Sequence, residues 1–103
     1  MTVCWLQAAT YEEVAALDRR RAVAVVPLGA TEAHGPHLPL STDVIIVEAM
    51  ARAGAERLSQ QGATVLVLPT VALTPAPFAA AFPGTLSTRP ATLVALLEDV
   101  ADA

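Results

Sequence analysis

The side chains able to do chemistry crowd into one stretch of this 103-residue chain, Pro27-Leu28-Gly29-Ala30-Thr31-Glu32-Ala33-His34-Gly35-Pro36-His37-Leu38-Pro39-Leu40-Ser41-Thr42-Asp43, which holds both histidines of the sequence. Glu32 and His34 stand two residues apart, so in extended backbone they project to the same side. A bend through Gly35, Pro36 and Pro39 can bring Asp43 back beside them. One neutral imidazole and two carboxylates suit a divalent ion such as zinc or manganese. The two oxygens of a carboxylate can also bridge a pair of ions ~3.5–4 Å apart, a common hydrolytic device. The spacing E-x-H…D is less specific than H-E-x-x-H or paired CxxC, and plainer roles stay open. Asp43 can cap a helix, His34 can hydrogen-bond to a loop carbonyl, and Glu32 can be solvated. His37 lies in the same rigid turn, where incidental polar residues are common. A second motif, Phe82-Pro83-Gly84-Thr85, is a turn by composition. Gly84 would let backbone approach a ligand, and Thr85 would supply a turn or cap hydroxyl. Ser41, Ser59 and Ser87 lack a nucleophile elbow, and neither G-x-G-x-x-G nor a Walker sequence is present.

The elements that must position these residues are legible in outline. Thr10-Tyr11-Glu12-Glu13 reads as a capping box opening a helix over about Tyr11–Arg20, with Val14 and Leu17 on its apolar side. The runs Ala22–Leu28 and Val65–Pro69 are continuously apolar, which predicts parallel strands buried on both faces. Val47, Met50, Ala51, Gly54 and Leu58 recur at helical spacing between them, with Ser41 or Thr42 as start and Gly62 past the end. Strand, helix, strand is a βαβ unit, and the Glu32–Asp43 loop follows its first strand, where α/β sites form. Thr70–Pro90 is a long loop carrying four of the eight prolines. Ala91–Ala103 reads as a helix with Leu93, Leu96, Leu97 and Val100 on one face. Its end carries no stop signal, and two parallel strands make a poor sheet, so the chain is expected to be the N-terminal part of a larger α/β domain. The second strand would then lie at an open sheet edge.

Composition narrows the function. The chain has no Lys, six Arg and a formal charge of −4, which argues against a nucleic-acid partner. Arg19-Arg20-Arg21 reads as a solvated helix end. With 22 Ala, 13 Leu and 12 Val against 4% aromatic residues, the core must be built from small aliphatic side chains. The lone Cys4 is expected to be a structural thiol, and its solitude fits a reducing cytoplasm. No signal peptide and no membrane partner are expected, since no apolar stretch approaches ~20 residues.

The Pro27–Asp43 loop resembles the hallmark of the creatininase (creatinine amidohydrolase) family, approximately P-x-G-S-x-E-Q-H-G-P-H-L-P-L-x-T-D. Pro27, Gly29, Glu32, His34, Gly35, Pro36, His37, Leu38, Pro39, Leu40, Thr42 and Asp43 match it, while Ala30 and Ala33 replace the usual Ser and Gln. Phe82–Ser87 is similar to the family's P-G-T segment. The resemblance implies a three-layer α/β/α fold with a mainly parallel sheet, of which residues 1–103 would be the N-terminal part of a single domain. It implies a dinuclear centre of two zinc or manganese ions per complete subunit. Glu32 would bind one ion and His34 the other, with Asp43 bridging. The remaining ligands and the general acid or base are expected beyond Ala103. The implied activity is metal-assisted hydrolysis of a non-peptide, cyclic-amide or formamide-like C–N bond in a small-molecule substrate. Family members also act on a modified peptide. The implied assembly is a homo-oligomer, commonly a hexamer. A non-catalytic metal-binding or oligomer-assembly fragment is the alternative.

Overall fold

A computed structural model describes residues 2–103. These gather into two compact units: the residues up to Pro27 with Ile46–Thr70, and Leu28–Ile45 with Val71–Ala103. The chain runs β1 (Thr2–Trp5), α1 (Tyr11–Ala15), β2 (Ala22–Val25), α2 (Thr42–Gln60), β3 (Thr64–Val67) and α3 (Pro90–Asp102), with single 3-10 turns at Leu6–Ala8 and Pro77–Ala79.

The sheet of the first unit has the order β1-β3-β2, all parallel, with Val3 and Val23 both opposite Val65. Two expectations are corrected here. β3 is the central strand: it bonds to neighbours on both sides, and Val65 and Val67 are buried at 0% and 2% exposure. The strand Ala22–Val25 is an edge, exposed at Ala22, Val23 and Ala24, not buried on both faces. The strand that places β3 in the middle is β1, whose four residues are too short to show a period in sequence.

The core of this unit is Ala55, Ala63, Val65 and Val67, with Val3, Trp5, Val25, Ala51 and Leu58 against it. Small side chains let helix and sheet approach closely, as the alanine-rich composition requires. The buried side of α2 is therefore Val47, Ala51, Ala55, Leu58 and Ser59. Met50, at 69% exposure, and Gly54, with open space around it, face away. Helical spacing predicts Met50 and Gly54 on this side, where the structure has Ala55 and Ser59. α2 stops in a Schellman arrangement: Gly62, at φ +93°, donates to the Ser59 carbonyl, and Ala63 donates to that of Leu58. The Arg21 guanidinium donates to the Gln61 carbonyl at 3.3 Å, so this arginine serves the end of α2 and not a solvated end of α1.

α1 is one turn, shorter than the stretch to Arg20 that the apolar spacing predicts. The Thr10 hydroxyl oxygen accepts from the Glu13 N–H at 3.2 Å, as a capping residue should. Asp18 then takes both the backbone N–H and the guanidinium of Arg20 at 2.9–3.0 Å, a local turn that competes with helix. Its exposed carboxyl is held below the ordinary range by Arg20.

In the second unit the backbone after Pro27 forms isolated bridges, Leu28 parallel to Val71 and Thr31 antiparallel to Leu86. α3 starts with Pro90 in its first turn, where the missing N–H costs nothing. Leu93, Leu97 and Val100 are half-buried, but Leu96 is exposed. No helix among the described residues is long and apolar enough to cross a membrane.

Candidate metal centre

The bend from Glu32 to Asp43 is closed by its own backbone. Gly35 turns the chain at φ +77°, a conformation that favours glycine, and Pro36 and Pro39 fix φ on the way back. The Glu32 N–H donates to the Leu40 carbonyl at 3.2 Å, joining the two ends of the bend. The Thr42 N–H and hydroxyl both donate to the Pro39 carbonyl, at 3.1 and 2.6 Å, and the Ile45 N–H donates to Ser41 as α2 begins. Neither Ser41 nor Thr42 caps the helix with its side chain in these bonds. Asp43 thus sits in the first turn of α2, where the helix dipole favours an anion.

Gly29 fixes where that turn lies. A β-carbon on Gly29 would come within 2.9 Å of the Val44 nitrogen and 3.0 Å of the Asp43 carbonyl carbon. Only glycine lets the strand extension pass so close to the backbone of Asp43. In the sequence this residue is marked by its place after an apolar run and by its match to the family hallmark, neither of which shows the close approach.

The geometry brings Glu32, His34 and Asp43 together. One ligand atom from each lies within 4.8 Å of the others, and all three residues are half-buried. His34 Nδ1 and Asp43 Oδ1 are 3.9 Å apart with side chains 36% and 31% exposed. That is too long for a hydrogen bond. It matches two donors facing one cation, since bonds of ~2.0–2.2 Å hold ligands about 3–4 Å from each other. The Glu32 carboxyl is pushed above the usual carboxylate range, first by a hydrogen bond with Asp43, then by desolvation and the Asp43 charge, against the opposing pull of His34. Two carboxylates this close repel each other when both are charged, and a cation beside them would relieve that repulsion. Glu32, His34 and Asp43 thus form a donor set of the kind that could hold a metal ion.

The other candidates lie apart from this group. His37 is exposed, its ring against the α-carbon side of Gly35. Gly84 adopts φ +88°, and a β-carbon there would meet Leu40 Cδ1 at 2.5 Å; its close neighbour is thus the chain itself. Thr85 Oγ1 accepts from the Ala33 N–H at 2.9 Å, and the Leu86 N–H donates to Thr31 at 2.9 Å. Thr31 adds a bond that spacing did not reveal, its hydroxyl donating to the Ala72 carbonyl at 2.7 Å. Cys4 is a half-buried free thiol on β1.

Comparison with known proteins agrees with this architecture. The chain is 40% identical over 78 residues to a mycofactocin precursor peptide peptidase of Mycobacterium tuberculosis, covering 71% of this chain and 31% of that protein. It is 42% identical over 74 residues to the protein of that name from Mycolicibacterium smegmatis, covering 71% of this chain and 30% of that one. The chain thus spans about a third of the length of the curated relatives it matches. Among solved structures, a tryptophan-to-alanine variant of a creatininase superposes with a TM-score of 0.78 at 29% identity, over 96% of this chain and 39% of that one. A Bacteroides fragilis protein assigned as a creatinine amidohydrolase gives 0.75 at 29% identity over the same shares. These neighbours share the α/β fold with its parallel sheet. The family model described as creatinine amidohydrolase matches residues 7–103, and the chain belongs to the creatininase family.

Proposed function

We propose that this chain supplies part of the metal centre of an amidohydrolase, with Glu32, His34 and Asp43 as its ligands. The observation that carries the reading is the convergence of these three donors within 4.8 Å on a loop that glycine and proline hold in shape. Asp43 would be the ligand shared between two ions, zinc or manganese, a role supported by its Oδ1 standing 3.9 Å from His34 Nδ1 and by a ligand atom of Glu32 within 4.8 Å of the same group. Bound divalent ions would supply Lewis acidity toward an amide oxygen and lower the pKa of water. Glu32 and Asp43 would supply the negative charge that retains such ions, and His34 would supply a nitrogen donor. The group that protonates the leaving nitrogen, and the further ligands, are assigned to segments outside residues 1–103. On this reading residues 1–103 are the N-terminal part of one domain, which assembles as a homo-oligomer, a hexamer by family resemblance.

The substrate proposed from the family is a small molecule with a cyclic-amide or formamide-like C–N bond. A peptide substrate is the second reading, favoured by the 40–42% identity to precursor peptide peptidases against 29% to the solved creatininases. The experiment is metal analysis of the purified protein, followed by assay of the zinc- and manganese-loaded forms on creatinine, simple formamides and a precursor-type peptide. Turnover of one class that Asp43→Ala abolishes supports the reading. Tight metal binding without turnover of any of them favours a non-catalytic metal-binding role. A protein that holds no divalent ion overturns it.

A further inference from the structure

We propose that Thr85 is a positioning residue for the two ligands that flank Ala33, an inference that rests on the metal reading above. Two consecutive peptide groups of this ligand arm are tethered by three hydrogen bonds. The Thr31 carbonyl accepts from Leu86, the Glu32 N–H donates to Leu40, and the Ala33 N–H donates to Thr85 Oγ1 at 2.9 Å. The first two tethers are backbone to backbone and indifferent to side-chain identity. The third, on the N–H between Glu32 and His34, depends on one hydroxyl.

The turn before Thr85 is built for this reach. Gly84 at φ +88° sets the direction of the chain, and its bare α-carbon leaves room for the side chain of Leu40, the residue whose carbonyl holds Glu32. The neighbouring hydroxyls work alike: Ser87 Oγ accepts from the Ala76 N–H at 2.8 Å, and the Thr88 hydroxyl donates to Leu73. Segment 84–88 thus adds side-chain bonds to its backbone bonds with Thr31 and Thr74, and among the side-chain bonds that of Thr85 falls on the ligand arm. Without it the half-buried Ala33 N–H loses its partner and the Glu32–His34 spacing loses a constraint. Thr85 lies outside the ligand group itself, so it acts through Ala33 and not on a bound ion.

The test uses the full chain with Thr85→Val, which keeps the shape and removes the oxygen, and Thr85→Ser, which keeps the oxygen. Two readouts are taken: hydrogen exchange of the Ala33 amide in the metal-free protein, and titration with Co(II) followed by its visible spectrum. Thr85→Val is expected to speed Ala33 exchange about tenfold or more. It should weaken cobalt affinity roughly 10–100-fold and alter the spectrum, with both restored by Thr85→Ser. Faster exchange with unchanged cobalt binding overturns the positioning role and leaves a loop tether. Unchanged exchange, or failure of serine to rescue, also overturns it. If the valine variant does not fold, an unprotected Ala33 amide in the wild type or in Thr85→Ser has the same force. Cobalt binding that is indifferent to Asp43→Ala instead sinks the metal reading, and Ala33 exchange then still decides whether the tether exists.

Discussion

Replacing Gly29 with alanine should destabilise the protein and disturb the candidate centre together. The new β-carbon would lie 2.9 Å from the Val44 nitrogen, 3.0 Å from the Asp43 carbonyl carbon and 3.0 Å from Val44 Cα, where ordinary contact begins at 3.4 Å. All three atoms are backbone, so no side chain can swing aside, and the first turn of α2 or the strand extension must move by roughly 0.5 Å. Gly29 is not among the glycines with positive φ, so the clash alone decides the outcome. Overpacking of this kind costs about 1–3 kcal/mol, offset by the ~0.4–1 kcal/mol that alanine gains through a less disordered unfolded chain. A net loss of about 1–2 kcal/mol corresponds to a fall in Tm of roughly 4–15 °C for a domain of this size. The displaced turn carries Asp43, so divalent-metal affinity should drop about tenfold or more as well. Gly54→Ala is the internal control. Its β-carbon would meet nothing within 4 Å, and a helix interior prefers alanine by about 0.5–1 kcal/mol, so this variant should melt higher than wild type with unchanged metal binding. Melts and metal titrations of the two variants side by side suffice. If Gly29→Ala is as stable as Gly54→Ala and binds metal normally, the close approach of Gly29 to Asp43 does not constrain the fold.

Asp43→Ala should remove most divalent-metal binding and any hydrolysis, while His34→Ala weakens one ion more than the other; elemental analysis and isothermal titration separate the two outcomes. Glu32 gives the metal-free protein a pH dependence of known sign. Its folded pKa lies above the unfolded value, so its favourable contribution is complete below the unfolded pKa and is lost as pH rises through the folded one. Metal-free Glu32→Gln should accordingly match wild type at pH 4 and melt higher than it at pH 7; equal melts at both would refute the Asp43 interaction. Gly62→Ala should cost about 1 kcal/mol in a urea titration, because φ +93° is strained for any side chain even though the Arg21 guanidinium it would touch can move away.

How far the sequence discloses this fold depends on how much context each element needs. α2 and α3 are legible because each runs for three turns or more, with glycine past the end of one and proline at the start of the other. The strands are harder. β2 and β3 read alike as apolar runs, yet one is an exposed edge and the other the buried centre of the sheet. That difference is made by β1, which pairs with β3 from the far end of the chain and leaves a four-residue trace too short for any pattern. The buried face of α2 depends on context for a related reason. Met50 outweighs Ala55 in hydropathy, but contact with the sheet at Val65 and Val67 selects the smaller residue.

The candidate ligands Glu32, His34 and Asp43 were legible from residue type, although their spacing leaves helix capping, loop hydrogen bonding and solvation open to them. What holds them was not. Gly29, Thr31 and Thr85 act through a close backbone approach and two hydrogen bonds of 2.7 and 2.9 Å, and no periodicity announces a hydroxyl that answers a backbone group more than 40 residues away. Residues that touch a ligand must have particular chemistry, so they stand out by type. Residues that aim them need only a small volume or one oxygen, which alanine-rich and threonine-rich loops supply at every turn. The precision of a metal site comes from that second group. For this chain the informative variants are therefore the glycines and threonines around Glu32 and Asp43, where substitution separates the presence of the ligands from their arrangement.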